Sequence, residues 1–373
     1  MSGVSFGCIN GVLLALMAQP APSVPFEVMS AKPASALTQQ FQQAEGWTGG
    51  DVAYSIPLGP DRTLWLFGDS FIGRIESGRR VAARMIHNAV AWQSLKEHKT
   101  PLRFFWDQSG KEPAALLRPT AKETWYWPAD GVLVDSKLYL FCKVVRRKAE
   151  GAPGFEFDWF ANELLRIDNP REEPGKWKVE RCRLPEGKEA LRLGVACLCD
   201  GDYLYAYGLF PASACKPLHM PLGVARLHKD KLTALDMKGW QYWCHGPNDE
   251  HWSDKPADLV PLFTDGAPEL SVSRVRGIDG WVAVYTPIGI GTEIAVRHAP
   301  KPWGPWSRRL SVYRSPDPGA KVFTYGVKAH PELSLRDGQL FITFCRNIGA
   351  LADHMRKPEI YFPQGVEVQL RPR

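Results

Sequence analysis

The stretch DVAYSIPLGPDRTLWLFGDS, residues 51–70, decides the fold. It reads as two short strands joined at Gly59, Pro60 and Asp61, the second of them, TLWLFG, almost wholly apolar. Four later stretches repeat the plan: DGVLVDSKLYLFCKV (130–144), GVACLCDGDYLYAYGL (194–209), ELSVSRVRGIDGWVAVYTP (269–287) and HPELSLRDGQLFITFCRN (330–347). Each sets a short strand against a very apolar, aromatic one across a turn that usually carries Asp or Gly. Their starts fall roughly 60 to 80 residues apart, room for a four-stranded antiparallel blade with its loops. The expected fold is therefore all-β, a five-bladed β-propeller. A large β-sandwich would also offer hairpins, but these copies run evenly to the C-terminus, and no long stretch carries helical periodicity.

Composition agrees. The chain has 373 residues, 45% apolar and 23% charged, which excludes wholesale disorder. Its 31 Pro exceed the usual rough 5% and oppose long helices. The 14 Trp and 33 Gly suit strands and loops around an aromatic-lined cleft. A formal charge of +6 is too small and scattered for a nucleic-acid footprint, and Arg146, Arg147 and Lys148 read as a solvated loop. Residues 1–22 resemble a secretory signal with an apolar core from Gly11 to Ala18, although the first residues lack Lys and Arg. The expectation is a secreted or periplasmic protein, with a lead-in at 23–45 and the propeller at 46–373. No later stretch is apolar enough for a membrane span. The eight cysteines form no C-x-x-C pair, so neither zinc nor redox chemistry organises the chain.

In a propeller the first strand of each blade lines a central channel, and acids at blade starts converge from distant parts of the chain. Asp51, Asp130, Glu269 and the run His330, Pro331, Glu332 stand at the starts of the copies. Glycoside hydrolysis needs such convergence, one carboxyl protonating the leaving oxygen and another attacking carbon or activating water. If Gly59, Pro60 and Asp61 make a three-residue turn, Asp51 lies opposite Asp69, with Cβ atoms about 4.5–5.5 Å apart. Two carboxylates that close push one pKa up. Trp47, Trp125 and Trp127 accompany them as candidate platforms for sugar rings, whereas Trp65 and Trp281 fit the core better. His330 and Glu332 are candidate substrate contacts. Beside each other they are also compatible with a structural divalent cation in the channel, although no cofactor is required.

Here the sequence resembles a family. GWTGGDVAYSIPLGPDRTLWLFGDSFIG (46–73) and MIHNAVAWQ (85–93) look like the first blade of a five-bladed propeller family related to glycoside hydrolases, which includes endo-acting D-arabinan hydrolases. WYWPADGVLVDSKLYLF (125–141), the Gly304-Pro305-Trp306 turn and YGVKAHPELS (325–334) match it more weakly. The resemblance implies that the Asp of T-G-x-D and the Asp of F-G-D-[ST] are catalytic, here Asp51 and Asp69. It also implies that His87 and Asn88 border a subsite, although His87 departs from the pattern, in which Asn is more usual.

LWLFGDSF also looks like the nucleophile block of an SGNH-type esterase, with Ser70 attacking an ester. That chemistry needs a downstream Asp-x-x-His pair, and no Asp here is followed three residues later by His. The reading is therefore a glycoside hydrolase with Asp51 and Asp69 as the central pair and Asp130 and Glu269 as further acids. Its partner is a polysaccharide or oligosaccharide, furanosidic by the resemblance, and neither nucleic acid nor membrane. The alternative is a propeller that binds carbohydrate without cleaving it.

Overall fold

The computed structural model describes residues 21–96, 101–151, 156–187, 190–211, 218–244, 251–316, 319, 321–348 and 350–373. The expected signal segment, 1–22, lies almost wholly outside them. The described chain is strands and turns with three short α-helices, Ser35–Phe41, Lys229–Thr233 and Leu351–Arg356. No described helix is long and apolar enough to cross a membrane.

The strands form six sheets, five of them antiparallel meanders. The first meander runs Tyr54–Pro57, Arg62–Phe67, Ala89–Ser94 and Arg103–Phe105. The second is Thr124–Val134, Lys137–Arg147, Phe157–Ile167 and Val179–Arg183. The third runs Arg192–Asp200, Tyr203–Leu209, Leu222–His228, Gln241–Trp243 and Trp252–Ser253. The fourth is Leu270–Val275, Ile278–Tyr285, Glu293–Ala299 and Leu310–Arg314. The fifth is Phe323–Ala329, Gln339–Asn347 and Gln364–Pro372, completed at its outer edge by Phe26–Pro33. The segment read as a lead-in thus donates a strand to the last sheet, so the two ends of the described residues are hydrogen-bonded together. The sixth sheet, Glu45–Gly50, Ser70–Glu76 and Arg79–Ile86, is an addition to the first meander.

Second strands of the meanders are apolar on both faces because both faces are covered. Leu64, Trp65, Leu66 and Phe67 are all fully buried, which explains a continuous apolar run where a half-exposed strand would alternate. Apolar clusters join neighbouring meanders: Ile56 and Leu66 pack with Leu140 and Leu165, Phe141 and Leu164 with Leu204, Tyr207 with Tyr285, and Val284 with Ile342. A further cluster carries Trp65 and Phe67 towards Leu333 and Phe341, so the fifth meander packs back on the first. Full burial of side chains this size stabilises by about 1.5–3 kcal/mol each.

Two expected strand starts need correction. The second meander begins at Thr124, so Asp130 sits inside its first strand. The fifth begins at Phe323, so His330 and Glu332 follow its first strand. In the second meander the break comes from a bulge, where the register jumps from Leu140 opposite Gly131 to Cys142 opposite Pro128.

Candidate active site

Three successive passes of the chain leave one sheet and enter another at the same level. Glu45–Gly50 resumes as Tyr54–Pro57, Arg62–Phe67 as Ser70–Glu76, and Arg79–Ile86 as Ala89–Ser94. The residues at these crossings include Asp51, Asp69, His87 and Asn88. The turn at Gly59, Pro60 and Asp61 is closed by Leu58 N–H donating to Arg62 O, 2.9 Å. Its register sets Tyr54 opposite Leu66; beyond the paired residues Asp51 N–H donates to Asp69 O, 3.1 Å, and Gly68 N–H donates to Asp51 O, 2.9 Å. Gly68 is required here: a Cβ on it would lie 2.4 Å from Asp51 Oδ1.

The two carboxylates have different surroundings. Asp51 Oδ2 accepts O–H bonds from Tyr325 (2.6 Å) and Tyr361 (2.9 Å). Burial, reinforced by the charge of Asp69 and by that of Glu269, pushes the Asp51 carboxyl up to about 7, against the downward pull of the two phenols. Asp69 Oδ1 lies 2.9 Å from His87 Nδ1 and accepts the Trp127 indole N–H, also at 2.9 Å. The His87 ring is stacked on Trp125, centroids 4.4 Å apart.

Both acids line a cavity of about 440 Å³, together with Glu269, Lys143, Trp127 and Trp159. Glu269 precedes the first strand of the fourth meander, and the largely buried Lys143 ammonium donates to its Oε1 at 2.7 Å. Behind Asp51, Asn347 links Tyr325 to His354, whose Nε2 lies 2.9 Å from Asn347 Oδ1. Burial and the nearby Arg80 push the His354 imidazole down to about 4, so it is neutral. Arg80 holds this wall in place. Its guanidinium donates to the carbonyls of Thr48, His354 and Pro358, tying the added sheet to the segment that bears Tyr361.

Other expected residues lie elsewhere. Asp130 accepts from Cys197 N–H (3.0 Å) and from the buried Lys328 ammonium (3.3 Å), which also donates to Leu270 O. That pair lies outside the cavity lining, and Asp130 is mid-strand. Trp47 is 1% exposed, stacked on Phe104 at 4.3 Å with its N–H on Ser70 Oγ. No face is left for a sugar, so the expected platform at Trp47 is a core residue. Asn88 is likewise structural, its amide fully used on Leu117 and Tyr126. His330 is fully buried, with ring nitrogens against Ser55 Oγ (2.6 Å) and Thr343 Oγ1 (2.8 Å), and burial pushes it down to about 3. Burial pushes Glu332 up to about 7, with Oε1 lacking a hydrogen-bond partner. Neither lines the cavity. Among the described residues no group of three or more His, Cys, Asp or Glu could hold a metal ion.

Lys143, Tyr325, Tyr361 and His354 join the site without belonging to the acid and tryptophan pattern of the sequence. Lys143 had a signal, a lone charge inside the apolar run LYLFCKVV. Tyr325 lay in a stretch whose strand start was misplaced, and Tyr361 reaches Asp51 only through the C-terminal segment.

A family model described as "Domain of unknown function (DUF5005)" matches residues 35–369. No curated protein matches the sequence. Among solved structures, a candidate hydrolase from Bacteroides ovatus is similar over 92% of this chain and 93% of its own, with TM-score 0.72 and 18% identity. At that identity the likeness is one of fold. The GH43_1 enzyme from Xanthomonas citri, solved with xylotriose, is 15% identical over 91% of this chain and 93% of its own, TM-score 0.47. A family 117 glycoside hydrolase from Zobellia galactanivorans is 13% identical over 87% and 84%, also with TM-score 0.47.

Proposed function

The chain belongs to the DUF5005 family, and we propose that it is an exported glycoside hydrolase whose five meanders are the blades of a β-propeller. One observation carries the reading: Asp51, raised to about 7, is joined by a backbone hydrogen bond to Asp69, and both line a cavity that also holds Glu269. A carboxyl poised near neutrality beside a second carboxylate is the equipment glycoside hydrolysis needs.

Asp51 is the acid. Its Oδ2 already accepts two phenol O–H bonds, so the proton of the acid form belongs on Oδ1, the oxygen facing Gly68. That proton passes to the glycosidic oxygen as the bond to the anomeric carbon breaks. Asp69, oriented by His87 and Trp127 on Oδ1, attacks that carbon. Water then cleaves the covalent intermediate and returns its proton to Asp51. The backbone hydrogen bond that joins Asp51 to Asp69 supports close carboxyls and this retaining course, which needs them about 5–5.5 Å apart. If Glu269 were the acid, the wider separation would favour inversion. The sugar is furanosidic on the resemblance of the first blade to arabinan hydrolases.

The test is release of reducing sugar from arabinans and from a panel of furanosides and pyranosides, beside Asp51→Asn. Release by the wild type and none by the variant is expected. Binding of a glycan without release by either would make the protein a carbohydrate-binding propeller instead.

A further inference from the structure

Beyond its acids, this cavity is unlike a polysaccharide cleft. Its wall is largely apolar, and its polar side chains mostly engage one another. Tyr325 and Tyr361 spend their hydroxyls on Asp51, Trp127 its N–H on Asp69, Trp159 its N–H on Ala161 and Asn162, and Lys143 its ammonium on Glu269. A hydroxyl-rich chain laid across such a wall would leave polar groups unpaired, at about 1–3 kcal/mol for each one buried. Capacity for sugar hydroxyls is concentrated at the carboxylates, which suits about one ring.

The mouth is more apolar still. Six large hydrophobic side chains are exposed among the described residues, and Met85 (44%), Ile290 (51%) and Leu351 (57%) all stand at this cavity. The backbone is strained to build it. Val52 and Ile288, both β-branched and both lining the cavity, have φ of 50° and 57°, a left-handed conformation that costs about 1–3 kcal/mol for each such residue. Gly289, with φ 86°, lets the loop close on Pro268, where a Cβ would come within 2.7 Å of the ring.

We propose that the site takes a glycoside whose leaving group is apolar, an alkyl or aryl group seated against the collar of Met85, Ile288, Ile290 and Leu351, with a single sugar ring at the acids. This rests on the glycoside hydrolase reading and narrows its substrate class.

The test is calorimetric binding of methyl and octyl arabinofuranosides, in both enantiomeric series, to Asp51→Asn protein, which leaves the ligands uncleaved. Each methylene buried strengthens binding about fourfold, so burying three of the seven that separate the two makes the octyl glycoside about 60-fold tighter than the methyl. The same pair is then measured with Met85→Ser, Ile290→Ser and Leu351→Ser added, all exposed positions, and the ratio is expected to fall below about fivefold. Methyl and octyl glycosides binding within threefold of each other would overturn this inference and leave the glycosidase reading standing. 1-Octanol binding as tightly as the octyl glycoside would overturn both, and neither arabinofuranoside binding would overturn this inference and leave the glycosidase reading to its own test on the wider panel.

Discussion

Removing the Tyr325 hydroxyl should move the pH dependence of the reaction upward. Its O–H donates to Asp51 Oδ2 at 2.6 Å and stabilises the carboxylate form, opposing burial and the like charges of Asp69 and Glu269. In Tyr325→Phe that stabilisation is lost, so Asp51 keeps its proton to higher pH. A hydrogen bond to a charged group contributes about 1.5–3 kcal/mol. With Tyr361 still donating to the same oxygen, about half of this is the expected net loss, and 1.36 kcal/mol corresponds to about one pKa unit. Because the protonated acid is the working form, the alkaline limb of kcat/KM moves from near pH 7 to near pH 8. Glu269→Gln should move it the other way. It removes a negative charge that raises Asp51 and frees the Lys143 ammonium beside it. The assay is kcat/KM from pH 5 to 10, supported by infrared titration of the Asp51 carboxyl, which needs no turnover. If the two variants shift the limb in the same direction, or if neither shifts it, the assignment of Asp51 as the acid is wrong.

Gly68→Ala, at a position where a Cβ would meet Asp51 Oδ1 at 2.4 Å, is expected to lower kcat by about 100-fold or more by displacing the acid, as misplacement of about 1 Å does, while circular dichroism stays that of wild type. Glu332→Gln is expected to stabilise the protein at pH 8 and not at pH 4. The folded carboxyl titrates near 7 and the unfolded one near 4.5, so the folded state is penalised as pH rises through that window, by as much as about 3 kcal/mol above it. Denaturant melts at the two pH values check this. Arg80→Leu strips donors from three buried carbonyls and is expected to destabilise by about 3 kcal/mol or more, seen as a lowered Tm.

That Asp51 and Asp69 come together could be read from the sequence because it depends mainly on the length of one turn, which closes at Leu58 and Arg62. The first strand of the second meander was harder. Pro128 has no N–H for the ladder, and a bulge absorbs it, so a strand that starts at Thr124 reads from the sequence as starting at Asp130. In the fifth meander a 3₁₀ turn at Pro331–Leu333 separates the first two strands, and it was mistaken for the first of them. Tryptophans divide by partners that lie far away in sequence. The stack of Trp47 on Phe104 depends on how the added sheet folds over the first meander, and nothing near residue 47 records it. The Lys143–Glu269 pair is hidden for the same reason, since its two halves come from the second and fourth meanders.

The central claim is that Asp51 and Asp69 act as one catalytic unit, and the kinetics of Asp51→Asn, Asp69→Asn and the double variant on the same glycoside test it most directly. Residues that act together are strongly non-additive. Each single variant is expected to lose about 1,000-fold or more in kcat, and the double variant to be little worse than either. Turnover within threefold of wild type in either single variant, or losses that simply multiply in the double, would contradict the account.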